Sequence, residues 1–417
     1  MLSRRTSISD SLQVVLAVVA ALAVAGSAAP AAPRPAEQPL LVLTTTPEQQ
    51  ELFRADPLLL DRASPAVPLA GSVGAHAFSP DGSTLAWVSL QGDAASLELL
   101  DVGSMSPAAS VPLGELGAST VAWLARDRVV VLAERPDGLR ILVVDAATSR
   151  LVSVRQIPAH FAEFPNVAPA KNVAVVQVRP LGPAQAIGPV RLAVVPASGA
   201  VRVVRVTSIE AGAARRTLNG ASFWEIRRPA VVGDPAGERA YVIGAANEPV
   251  ASVDLRSLHV SYHRVHGLRA AAGTLTGTDR HAAWVRPGLL ALVGFDEYPK
   301  AEPVLLGLRL LDTRTWRMRT IDPSAEQLAV VAGTIVAQHA DPALPGFTIA
   351  GFDANGSRRF ALPLSGMSQP AEVTSTGRHL YVPTHDGVGT VIVLDQSSGA
   401  IVGRPLAPSA GELLSPP

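Results

Sequence analysis

Residues Ala75–Leu113 hold four short apolar runs separated by turns, and near-copies of this unit recur down the chain. Such a period leaves few folds open. His76–Ser79 ends at Pro80-Asp81-Gly82, where proline fixes φ and glycine accepts a positive one. Thr84–Ser89 and Ser96–Val102 have strand length, are too short for a globular helix, and are flanked by Gly, Asp and Ser. Ser110–Leu113 closes the unit. A lone four-stranded sheet exposes two apolar faces, and stacking copies around a ring buries both. The expected fold is all-β, a single β-propeller.

A second marker follows the same period. The third strand of each unit ends in an aspartate before a tight turn: Asp56, Asp101, Asp145, Asp254, Asp312, Asp353 and Asp395, with Pro196 in the equivalent place of a further copy. A carboxylate there accepts backbone N–H groups of the turn, so these residues read as structural. Full units start near His76, Thr120, Ala162, Arg228, His281, Glu326 and Pro370. Leu40–Thr44, Glu51–Asp56 and Ala66–Leu69 resemble a unit lacking its first strand, which Glu412-Leu413-Leu414 can supply. The expectation is eight four-stranded blades, closed by strands from both ends of the chain, with seven blades as the alternative.

The N-terminus carries Arg4 and Arg5 before an apolar run, Val14–Ala25, and the small-residue pattern Ser27-Ala28-Ala29. Residues 1–29 read as a signal peptide, residues 30–39 as an Ala/Pro-rich spacer, and residues 40–417 as the propeller. Twelve apolar residues fall short of the ~20 that a bilayer span needs, so the membrane is expected as a partner only through an uncleaved signal, if at all. The chain is expected to be secreted or held in the cell envelope, as a monomer. Lys plus Arg and Asp plus Glu are both 35, so no global field recruits nucleic acid. The absence of cysteine excludes disulfides, thiolate chemistry and Cys-ligated zinc.

Loop lengths single out one face. First-to-second turns such as Asp81-Gly82 and Pro287-Gly288 are short, whereas the long segments are Pro180–Pro189, Ser208–Arg227, His266–Arg280 and Asp296–Pro303. In a propeller these emerge together, and loops on a rigid scaffold are where binding residues gather. Trp224, Arg227 and Arg228 combine aromatic and guanidinium groups suited to an interface, with Tyr298 nearby. Asp296, Glu297, His339 and His385 fall on the same face, as do His160, His266, Asp341 and Asp386. Imidazole with carboxylate can hold a divalent cation or move protons. His259 and His263 are expected to be solvated on an outer strand, and His379 to lie in a turn on the opposite face.

Phe78-Ser79-Pro80-Asp81-Gly82 resembles the WD40-like, TolB-type repeat. Arg378-His379-Leu380-Tyr381-Val382 with Val391–Asp395 is similar to the YVTN-type repeat of bacterial secreted propellers. This resemblance implies the propeller framework and an extracytoplasmic location. The Gly-His and Trp-Asp pairs of WD40 proteins are absent, and so is the later Trp of quinoprotein repeats. No nucleophile elbow, zinc-protease, P-loop or dinucleotide motif occurs. The expected function is non-catalytic binding of a protein, peptide or cell-envelope component, without a cofactor. The alternative is a cation-dependent propeller enzyme of lyase or lactonase type.

Overall fold

The computed structural model describes residues 37–45, 49–69, 71–92, 94–117, 119–162, 167–182, 186–218, 220–265, 275–298, 303–340, 347–364, 369–384, 389–407 and 411–416. The signal-peptide reading of residues 1–29, and all but the end of the spacer, lie outside the described residues, as do His266, Asp341, His385 and Asp386. The chain is a β-propeller built of antiparallel sheets, and no α-helix occurs among the described residues.

Six sheets are four-stranded blades, which corrects the expectation of eight or seven. One joins Leu40–Thr45, Gln50–Ala55 and Val67–Leu69 to Gly411–Leu414, with Leu41 opposite Leu414. The others run over Ser72–Gly114, Ser119–Ile157, Ala230–His263, Gln327–Leu364 and Thr374–Gly403. The strands that the repeat assigned to the units at Ala162 and His281 lie instead in one continuous eleven-stranded sheet. The cause is local: within the expected connection Ser208–Arg227 the chain stays in strand, as Arg202–Leu218 and then Ala221–Arg228, and the latter pairs in parallel with Gly277–Arg286.

Burial explains why the sequence runs are apolar without alternation. Val129, Val130, Val131, Leu132 and Ala133 are all fully buried, because each sheet packs a neighbour on both faces. Val336 and Ile349 meet Leu380 and Ile392 across one such interface, and Leu40 and Phe53 meet Tyr381 and Val393 across another. Full burial of one such side chain contributes about 1.5–3 kcal/mol.

The seven marker aspartates do what the pattern implies. Asp56 accepts the N–H groups of Leu58 and Leu59 at 2.8 Å, and Asp312 those of Arg314 and Thr315 at 2.8 and 2.9 Å. Asp101, Asp145, Asp254, Asp353 and Asp395 make the same bonds. These backbone bonds hold the Asp56, Asp101, Asp145, Asp254 and Asp312 carboxyls below the ordinary carboxylate range.

Strand direction alternates within each blade, so turns after first and third strands lie on one face of the ring, and the remaining connections lie on the other. Gln38 N–H bonds the Thr376 carbonyl at 2.9 Å, and Pro416 packs at Gly82, both at first-to-second turns. The first and last described residues therefore leave from the face opposite the long connections.

Candidate functional site

The long connection read from sequence as a loop between Ser208 and Arg227 is a β-hairpin. Its register runs from Gly212 opposite Arg227 to Leu218 opposite Ala221. In the sequence Asn219-Gly220 is a strong two-residue hairpin signal, and Gly220 takes the positive φ (81°) that such turns favour. The reading of Ser208–Arg227 as a loop passes over that dipeptide.

A bulge aims the hairpin out of its sheet. Val190 pairs with Val206 while Pro189 pairs with Glu210, so Thr207, Ser208 and Ile209 are extra residues on the long strand. Bulges of this kind bend a strand and re-aim it. Three contacts fix the bend. Ile209 is fully buried in the core. Thr207 N–H donates to the Tyr262 hydroxyl at 2.8 Å. Glu210 N–H donates to Glu248 at 3.0 Å, and Ala245 N–H to the other Glu248 oxygen at 2.7 Å. Burial raises the Glu248 carboxyl above its usual range despite these bonds.

The returning arm is anchored as firmly. Ile226, Arg227 and Arg228 pair in parallel with Gly277, Thr278 and Asp279. Arg227 holds Glu225 at 2.7 Å and the Leu275 carbonyl at 3.1 Å, and Arg216 holds the second Glu225 oxygen at 2.9 Å. Burial alone would raise the Glu225 carboxyl, but the two guanidinium groups outweigh it and lower it. Arg228 lies 3.6 Å from Asp279, which His281 approaches to 3.3 Å. Burial again opposes, and His281 with Arg228 again prevails, so the Asp279 carboxyl is lowered.

Strand alternation then sorts the hairpin into two faces. Arg216, Phe223, Glu225 and Arg227 share one, and Arg215, Trp224, Ile226 and Arg228 the other. Trp224 is 48 % exposed, directly opposite the exposed Arg215. Among the described residues neither the Arg215 guanidinium nor the Trp224 indole N–H has a partner. Trp224 and Arg228 thus stand together, while Arg227 faces the other way and is tied to Glu225.

The remaining sequence candidates lie on the same face of the ring but engage in separate pairs. Asp296 is buried, 2.6 Å from Arg280 Nη2, with Thr278 Oγ1 donating to it at 2.5 Å and Ala246 N–H at 3.4 Å. Glu297 is exposed at the end of that strand, and its carboxylate lies across Gly277; Tyr298 follows it, half-buried. His339 Nδ1 lies 3.3 Å from Asp322, and His160 Nδ1 lies 2.7 Å from Glu134. Neither imidazole contact has the direction of a hydrogen bond. Among the described residues no three His, Asp or Glu side chains converge as metal ligands.

Two histidines depart from expectation. His263 is not simply solvated: its ring stacks on Trp316 at 3.7 Å and bonds Ser252 Oγ at 3.0 Å. Burial, with the Arg239 charge, lowers its pKa. His379 lies on the face opposite the hairpin, as read, but is buried and holds Glu37 at 2.9 Å.

No protein-family model matches this chain, and no curated protein does. Solved structures do resemble it. Apo AztD from Citrobacter koseri gives a TM-score of 0.55 at 11% identity, covering 90% of this chain and 98% of that one. Dihydro-heme d1 dehydrogenase NirN, in complex with DHE, gives 0.53 at 16% identity, covering 91% of this chain and 74% of that one. At such identities the likeness is one of fold, the β-propeller.

Proposed function

We propose that the chain is an exported, non-catalytic β-propeller that binds a protein, peptide or envelope component through the face bearing the hairpin. The observation that carries this reading is exposed Trp224 directly opposite Arg215, which has no partner among the described residues, on a hairpin braced at its base. Exposed aromatic and guanidinium groups become dominant contacts once a partner desolvates them. A braced base limits the ordering cost of binding. The buried carboxylate candidate supports the scaffold in this reading, since Asp296 is held by Arg280.

The test is capture from an envelope fraction by wild type, Trp224→Ala and a control altered on the opposite face, Leu59→Ser. A partner retained by wild type and by Leu59→Ser but lost by Trp224→Ala supports the proposal. Equal retention by all three sinks it.

A further inference from the structure

The hairpin has strand edges that the described residues leave open. Among the described residues Ala221–Glu225 pair with Ala214–Leu218 alone, and pairing on the second edge begins at Ile226. Ile226 N–H points across that edge to the Thr276 carbonyl at 3.4 Å. With the two-residue period of a strand, Trp224 and Ser222 present their backbone groups on the same side. An edge of this kind accepts one further extended chain through main-chain hydrogen bonds.

Charge narrows the occupant. The span from Gly212 to Arg228 carries Arg215, Arg216, Arg227 and Arg228 against Glu225 alone, in a chain of zero net charge. Arg216 and Arg227 are held by Glu225 and Arg228 by Asp279, so among the described residues Arg215 is the hairpin cation left for a ligand. One uncommitted guanidinium does not make a nucleic-acid site, which neutralises several phosphates at once. Nor does it make an anionic-membrane patch, which uses about 4–8 basic residues. A backbone edge beside an exposed aromatic and a guanidinium with no partner among the described residues fits a polypeptide.

Resting on the binding reading above, we propose that the hairpin takes an acidic peptide segment in extended conformation, added as a strand along Ala221–Glu225. One of its carboxylates engages Arg215 and an apolar neighbour covers Trp224.

A random 12-residue peptide library selected on the full chain tests this. Sequences rich in Asp and Glu alternating with apolar residues are expected. The enriched peptide should bind Arg215→Glu at least tenfold more weakly and Arg215→Lys within a few-fold of wild type. N-methylation of its alternate backbone amides should abolish binding. Enrichment of basic or uncharged sequences, no enrichment, or tolerance of N-methylation overturns the inference. Loss of the envelope partner in Trp224→Ala with any of these results leaves the binding reading standing and removes only the acidic strand. Retention of that partner in Trp224→Ala removes the binding reading itself.

Discussion

Arg280 and Asp296 form an ion pair at 2.6 Å with both side chains almost wholly removed from solvent. Arg280 also donates to the Phe295 and Asp279 carbonyls, and Asp296 reaches the Ala246 N–H of the neighbouring blade. Gly294 lies opposite Arg280 at φ 144°, where a Cβ would sit 2.0 Å from the Asp279 carbonyl, so no larger residue fits there. Removing one member of a buried pair strands the other charge, at a cost of about 3–5 kcal/mol. Asp296→Ala is expected to lose that much in urea unfolding, and Arg280→Met with Asp296→Leu to regain most of it. A loss below about 1 kcal/mol for Asp296→Ala would contradict the pair's burial.

Trp224→Ala should behave in the opposite way. Its side chain is half in solvent and adds little to the stacked core, so stability should change by no more than about 0.5 kcal/mol. Partner affinity should fall by about 2 kcal/mol or more, roughly thirtyfold, measured by titration against the captured partner. A destabilised ring with unchanged affinity would reverse the roles assigned here.

Glu225 and Asp279 predict how the hairpin responds to acid. Both carboxyls are lowered in the folded protein, so the unfolded chain binds protons first. Their contribution is present above the ordinary values of 4.5 and 3.8 and is lost as pH falls through the lower folded values. Amide exchange over Ala221–Arg228, corrected for intrinsic rates, should accelerate below about pH 4 ahead of the blades. In Glu225→Gln with Asp279→Asn it should already be fast at neutral pH. Uniform acceleration across the ring would show that these groups do not hold the hairpin.

His263 predicts a second, separate dependence. Its pKa is lowered, so the stability of the stack on Trp316 is complete above the ordinary 6.5 and is lost as pH falls through the folded value. An NMR titration of the His263 ring should show a midpoint below 6.5, and His263→Phe should remove this limb of the stability profile. A midpoint above 6.5 would mean that the imidazolium, not the neutral ring, is the stacked form.

The blades were legible because their turns carry chemistry in short spans. Pro80-Asp81-Gly82 and the aspartates at third-strand ends act on backbone groups within a few residues, so spacing alone reveals them. The fused sheet was not legible, because Thr207–Ile209 insert a bulge that breaks the period and disguises a strand as a loop. Arg280 and Asp296 were equally hidden. Their meeting depends on the register of two strands, in which Thr278 and not Arg280 stands directly opposite Asp296. The site candidates were chosen by face, which the connections disclosed, but whether a side chain turns outward like Trp224 or inward like Asp296 depends on pairing across strands.

Glu37 and Pro416 both leave the ring on the side away from the hairpin, whose outer five residues on the returning arm reach about 15 Å past their last parallel pairing. The molecule is therefore directional. Fixed to a support at Glu37 or Pro416, it holds Trp224 outward like a probe on a stalk, whereas coupling through Arg215 or its neighbours would bury that probe against the support.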